Sequence, residues 1–202
     1  MDLHFGDTED LLSSDRVVDA GEDGKDPGTG WGPDELNGEW PSGLPPHKLP
    51  LGPGVPVMAT MNLPHLGVFN GTRLIVQRVH RSSTTGGAVF IICVMWKDGK
   101  MIEVVIPRAK VVAKDGFPFG WVRQQFPLQL CFAMTINKSQ GQTLCSRVGV
   151  VLTSHVWTHG MAYVALGRVT DPANLRVAAP RRSGEVINVV YFDVLRVGEA
   201  RL

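Results

Sequence analysis

The residues best suited to chemistry are Ala133-Met-Thr-Ile-Asn-Lys-Ser-Gln-Gly-Gln-Thr143. They follow the apolar run 128–134, which reads as a buried strand, and the chain from Asn137 onward reads as a helix start. A strand-to-helix junction sets backbone N–H groups, a hydroxyl and a lysine at the C-terminal edge of a sheet. That edge is where α/β folds bind ligands and where a helix end attracts anions. Gly141 would admit the close approach of a phosphate or a neighbouring strand. The same residue types also suit an ordinary polar loop, and spacing alone leaves both readings open.

A second stretch, Tyr163-Val-Ala-Leu-Gly-Arg-Val169, ends an apolar helix on an arginine before a turn. A guanidinium so placed can reach across an interface to a developing phosphoryl charge. It can equally form a salt bridge or complement a helix C-terminus. His155 and His159 are four residues apart but lack the glutamate of a zinc protease, so metal binding is not expected. Asp34-Glu35 follows Gly and Pro rather than a buried strand, which argues against an acidic metal-binding pair. Trp121, Phe126 and Trp157 read as core or interface residues, with base stacking the alternative. His47 and Lys48 read as residues capping a proline turn. Cys93, Cys131 and Cys145 have no CxxC spacing and read as buried thiols of a reducing compartment.

The elements that must carry these residues fall into two patterns. Between 49 and 114 the signals are β: an apolar stretch at 55–61, the turn Asn70-Gly71 before a run at 72–79, and a strand at 88–96. The hairpin turn Lys97-Asp98-Gly99-Lys100 and a return strand at 101–106 complete them. Short strands at such close spacing predict a small barrel. From 126 the pattern becomes strand, helix, strand, helix, strand, with apolar strands at 148–152 and 175–178 and a helix over 158–168 between them. That alternation predicts an α/β layer with parallel strands.

Net charge is +1, yet residues 1–40 hold twelve acids against two bases, and the remainder holds seven acids against eighteen bases. An acidic segment on a basic body points to a polyanionic partner, although a solvated surface accounts for the same excess. The acidic segment has few large apolar residues and reads as largely disordered or loosely attached. Gly43-Leu-Pro-Pro46 reads as a stiff extended entry to the body. No apolar run reaches the length of a membrane span, and the acidic N-terminus is unlike a leader, so a soluble protein is expected.

Asn137-Lys-Ser-Gln-Gly-Gln-Thr143 resembles motif V of superfamily 1 helicases, and Tyr163-Val-Ala-Leu-Gly-Arg168 resembles their motif VI. The wording is similar to the PIF-type (petite integration frequency) ATP-dependent DNA helicases, including those of Helitron transposons. Leu44-Pro-Pro-His-Lys-Leu49, Gly54-Val-Pro-Val-Met58, Asn70-Gly-Thr-Arg-Leu74 and Leu12-Ser-Ser-Asp15 extend the match over roughly residues 11–178. The resemblance implies an α/β fold, a partial RecA-like second helicase domain with an inserted small SH3-like β-barrel. The divisions expected are 1–43 acidic and largely disordered, 44–120 the barrel, 121–180 the RecA-like part, and 181–202 a C-terminal strand or tail.

The resemblance further implies that Gln140 and Gly141 face a nucleotide and that Arg168 contacts its γ-phosphate as an arginine finger. Thr135, Asn137, Lys138 and Ser139 would lie near a single-stranded DNA backbone, with Lys138 able to serve either side. Gly167 stands where the family commonly has serine. No G-x-x-x-x-G-K-[ST] occurs in the sequence, so the P-loop and acidic pair that hold ATP and Mg²⁺ would come from an N-terminal RecA-like domain, upstream or in trans. The chain is therefore read as a truncated helicase, a gene fragment or one piece of a split enzyme, inactive toward ATP by itself. The alternatives are a non-catalytic single-stranded DNA-binding module and a decayed transposon remnant. The family implies nuclear or mitochondrial placement.

Overall fold

In the computed structural model, residues 7–18, 30–39, 41, 43–113, 117, 119–144, 147–152, 156–179 and 188–191 are described. The elements are β1 (Glu9–Leu12), β2 (Ser14–Val17), α1 (Pro33–Asn37), β3 (Lys48–Leu51), β4 (Pro56–Ala59), β5 (Arg73–Arg81) and β6 (Ala88–Lys97). They continue as β7 (Lys100–Pro107), β8 (Ala109–Ala113), β9 (Trp121–Gln125), β10 (Leu128–Leu130), β11 (Val148–Val151), α2 (Met161–Leu166) and β12 (Leu175–Ala178). Among the described residues strands dominate, and α1 and α2 are short. Two compact units, 1–132 and 133–202, account for these elements.

In the first unit, buried residues alternate with exposed ones along the start of β5 and the end of β7, while β6 is buried continuously over Ile91–Met95. Leu74, Val76, Ile91, Cys93, Val104 and Ile106 share a core with Leu49, Leu51, Val57, Phe126 and Leu128. The sheet runs in the order β10-β4-β5-β6-β7, and every pairing is antiparallel. Asp98 at φ 50° and Gly99 at φ 76° make the tight turn between β6 and β7. The strands predicted between 55 and 106 are all present, with ends moved by a few residues.

Three readings are corrected here. The run 128–134 forms a strand only over Leu128–Leu130, and that strand pairs antiparallel with β4 instead of entering a parallel layer. Its backbone partner across the pair, Met58 to Gln129, satisfies groups that a parallel neighbour would otherwise have met. The division between units consequently falls after Phe132. The acidic N-terminal segment, read as largely disordered, supplies three elements. β1 pairs antiparallel with β3, β2 pairs antiparallel with β9, and α1 buries Leu36.

The ordering of that segment has a physical cause that composition hides. Asp15 is an acid with a buried partner: Arg123 Nη2 donates to its Oδ2 at 2.6 Å, and both side chains are fully buried. Arg123 also donates from Nε to both carboxylate oxygens, from Nη1 to the Pro45 carbonyl and from Nη2 to the Leu36 carbonyl. One guanidinium thus ties together β2, the end of α1, the proline entry and β9. Ser13 Oγ donates to Asp15 Oδ1 at 2.7 Å and also lies 2.7 Å from His47 Nδ1. His47 is therefore part of this network and does more than cap a proline turn. Val17, Leu36, Leu44, Ala113 and Trp121 form a second small core beside it. Gly52 is required where it stands, because a Cβ there would lie 2.5 Å from the Asp7 carbonyl oxygen.

The second unit is built on β11 and β12, which pair in parallel in the register Val148↔Leu175 to Val151↔Ala178. The parallel strands predicted at 148–152 and 175–178 are thus present. Val150, Leu152, Val156, Met161, Ala162 and Ala165 pack as its core, with Ile136 and Val148 against them. The helix predicted over 158–168 is confined to α2. Gly160 at φ 73° starts it, and the N–H of Gly167 closes its last turn on the Tyr163 carbonyl at 2.9 Å. The predicted C-terminal strand or tail at 181–202 lies outside the described residues except for 188–191, which form no strand. No helix among the described residues is long and apolar enough to cross a membrane.

Candidate functional site

The stretch 133–143 does not open a helix. It makes one 3-10 turn, Asn137–Ser139, and then leaves helical geometry at Gln140, whose ψ is 135°. Two features stop the helix. Ser139 Oγ donates back to the Ile136 carbonyl at 2.7 Å, a local bond that competes with helix propagation. Gly141 then takes φ 73°, a left-handed conformation that glycine adopts without strain. The expected helix N-terminus, and the dipole argument attached to it, is therefore replaced by a compact polar turn.

Within that turn the sequence-predicted residues are close neighbours. Thr135 Oγ1 accepts from the Lys138 N–H at 3.3 Å, and the Ser139 N–H donates to the Thr135 carbonyl at 3.3 Å and to the Ile136 carbonyl at 3.0 Å. Ser139 is buried, so its hydroxyl braces the turn. Thr135, Asn137, Lys138, Gln140 and Gly141 are exposed. Nothing lies within 4 Å of a Cβ built on Gly141, so the backbone there faces open space. The turn presents an ammonium, a hydroxyl, two amide side chains and an accessible backbone, a donor-rich surface suited to a phosphate oxygen.

Arg168 joins this surface. Its Nε donates to the Val164 carbonyl at 2.9 Å, which folds the side chain back along α2, and its Nη1 donates to the Gln142 carbonyl at 3.3 Å. The Leu144 N–H donates to the Arg168 carbonyl at 2.8 Å, and Leu144 and Val169 form an isolated parallel bridge. The guanidinium is half-buried, held by two neutral carbonyls and by no carboxylate among the described residues. The salt-bridge reading of Arg168 thus has no partner on display there. The two stretches, about twenty residues apart in the chain, meet side by side in the second unit.

Sequence reasoning missed the residue at this meeting point, Gln142. It lies in the first stretch and meets the second through Arg168, a contact that no spacing rule marks. Among the other candidates, Trp121 and Phe126 are fully buried, whereas Trp157 is 68% exposed and belongs to no core. His155 lies outside the described residues. His159 accepts from the Tyr191 N–H at 3.0 Å and stacks on the Tyr191 ring. Among the described residues no group of three or more His, Cys, Asp or Glu could hold a metal ion. Glu35 accepts from the Gly32 N–H at 2.9 Å and caps α1. Cys93 and Cys131 are buried thiols, and Cys145 lies outside the described residues.

Residues 40–79 match the family model of the DNA helicase Pif1 2B domain. The chain is 34% identical over 135 residues to the ATP-dependent DNA helicase PIF6 of Trypanosoma brucei brucei, covering 65% of this chain and 16% of that protein. It is 33% identical over 132 residues to the ATP-dependent DNA helicase PIF1 of Xenopus laevis, covering 64% of this chain and 19% of that protein. The chain thus spans under a fifth of the curated relatives it matches here. Among solved structures, Pif1 helicase from Candida albicans superposes with a TM-score of 0.67 at 26% identity, over 98% of this chain and 44% of that one. Bacteroides Pif1 bound to single-stranded DNA superposes with a TM-score of 0.62 at 22% identity, a likeness of fold, over 98% of this chain and 41% of that one.

Proposed function

We propose that this chain, similar to Pif1-type DNA helicases over about 65% of its length, is the C-terminal part of an ATP-dependent DNA helicase and carries the DNA-facing turn and the arginine of the ATPase site. The observation that supports this most is the contact of Arg168 with the turn Asn137–Gly141 through the Gln142 carbonyl. A cation held by neutral carbonyls beside a donor-rich turn keeps its charge for an anion outside the chain. In this reading Arg168 meets the γ-phosphate of a nucleotide, with Gln140 and Gly141 beside it. Thr135, Asn137, Lys138 and Ser139 serve the single-stranded DNA backbone, Ser139 by bracing the turn.

The donor set suits one side of a nucleotide only. In this reading ATP and Mg²⁺ belong to the complete helicase and are held chiefly by an N-terminal RecA-like domain upstream or in trans. When bound, ATP supplies the phosphoryl bond whose cleavage drives opening and closing between domains. This chain's own contribution is a positioned positive charge and a strand-binding turn. The segment 44–120 is read as the inserted SH3-like barrel, and the RecA-like part, expected over 121–180, is read within the second unit from Ala133 onward. Nuclear or mitochondrial DNA transactions, including repair, recombination or transposition, are the setting.

A second reading, a non-catalytic single-stranded DNA-binding module, draws on the absence of a P-loop motif from the sequence together with the basic excess after residue 40. Both readings require DNA binding, so that is tested first. Labelled oligothymidylate is titrated against the full chain at low and moderate salt. Weak binding that falls steeply with salt is expected, since phosphate contacts release counterions. Lys138→Ala should weaken it and reduce the salt slope by about one. No binding at low salt removes both readings and leaves the remnant.

A further inference from the structure

Gln142 joins the turn to Arg168 through hydrogen bonds on both sides. Its backbone N–H donates to the Ser139 carbonyl at 3.1 Å, its side-chain Nε2 donates to the Lys138 carbonyl at 3.0 Å, and its own carbonyl accepts from Arg168 Nη1 at 3.3 Å. A peptide carbonyl can only accept, so the amide must turn its nitrogen toward Lys138. On the far side, the Arg168 guanidinium is anchored a second time by the Val164 carbonyl, and the Arg168 backbone is bridged to Leu144. One residue therefore holds the last two peptides of the turn with one end and the guanidinium with the other. Gly141, with its left-handed φ and open surroundings, lies between Gln142 and the turn and leaves the backbone there free of side-chain packing. The side-chain bond of Gln142 thus closes a loop across the glycine that the backbone alone would leave compliant.

We propose that Gln142 is a positioning residue, whose side-chain bond to the Lys138 carbonyl transmits the state of the turn Asn137–Ser139 to the guanidinium of Arg168. The proposal rests on the reading of that turn as the DNA-facing element. A phosphate engaged by Lys138 and Asn137 shifts the Lys138 peptide. The Gln142 side chain follows that peptide, and the carbonyl that orients Arg168 follows Gln142. Coupling of this kind is reciprocal: whatever DNA does to Arg168, restraint of Arg168 does to DNA affinity.

The test uses the full chain, labelled with ¹⁵N and titrated with oligothymidylate while the Arg168 Nε–Hε resonance and the backbone amides of 135–139 are followed. In the unsubstituted chain both sets of signals are expected to move together, with one binding isotherm. Gln142→Leu keeps the backbone carbonyl that Arg168 uses and removes the side-chain amide, with it the bond to the Lys138 carbonyl. In that variant the 135–139 amides should still move, and the Arg168 signal should stay at its unbound position. Should the leucine variant lose its dispersed spectrum, Gln142→Asn, shorter by one methylene and still polar, is expected to show the same separation. An Arg168 signal that moves as far in these variants as in the unsubstituted chain overturns the proposal. So does an Arg168 signal that never moves while the 135–139 amides do. Absence of any oligonucleotide response in the unsubstituted chain overturns the DNA reading itself, and the proposal with it.

Discussion

At the scale of single residues, two buried side chains have measurable consequences. Arg123 and Asp15 are fully buried and satisfy each other, so removing one strands the other as an uncompensated charge. Arg123→Met should cost about 3–5 kcal/mol in urea denaturation, whereas the double change Asp15→Leu with Arg123→Met should cost less than the sum of the single changes. Equal additivity would show that the pair is not coupled. Cys93 is the second case: burial pushes its thiol up from 9.0 to about 12. The folded value lies above the unfolded one, so this thiol's contribution to stability is complete below the unfolded value. It is lost as pH rises from there through the folded value. Cys93 should therefore resist alkylation at pH 8 until the chain unfolds, and Cys93→Val should flatten the fall in stability above pH 9. Rapid alkylation of Cys93 in the native chain would contradict its burial. Neither Arg123 nor Asp15 was legible as a pair, because they are far apart in sequence and each looks like an ordinary polar residue beside apolar neighbours.

At the scale of elements, the N-terminal acidic segment belongs to the fold. Leu11 of β1 packs with Leu49 and Leu51, and β2 supplies Asp15. A chain beginning at Leu44 would expose part of that core, at about 1.5–3 kcal/mol for each large apolar side chain uncovered, and would leave Arg123 without its carboxylate. It should melt well below the full chain in a thermal scan, and any gain in DNA affinity from removing acids must be read against that loss. An unchanged melting temperature would return the segment to the status of a loose tail. The antiparallel strands between 56 and 107 were legible because alternation and turn dipeptides are local signals. The parallel pair β11 and β12 was legible from apolar runs. Asn137 onward was misread because a strand–helix junction and a 3-10 turn share residue types. The difference lies in Ser139 bonding back to Ile136 and in the backbone of Gly141. The candidate site residues were named from the sequence, but the meeting of their two stretches through Gln142 depends on a long-range contact that no local pattern carries.

At the scale of the whole molecule, the proposed function gives this chain one half of a charge-stabilising arrangement. On that reading it should release no phosphate from ATP by itself above a buffer blank, with or without DNA, because its sequence holds no P-loop motif. Hydrolysis by the purified chain that Arg168→Ala abolishes would overturn that expectation. The most direct measurement of the central claim joins this chain to a first RecA-like domain. ATP hydrolysis is measured for the chain fused to, or mixed with, the first RecA-like domain of a Pif1-type helicase, with and without oligothymidylate. The account predicts hydrolysis that neither part shows alone, stimulated by DNA and lowered by Arg168→Ala by about 10³-fold or more. Hydrolysis no greater than that of the first domain alone, or hydrolysis indifferent to Arg168→Ala, would contradict it.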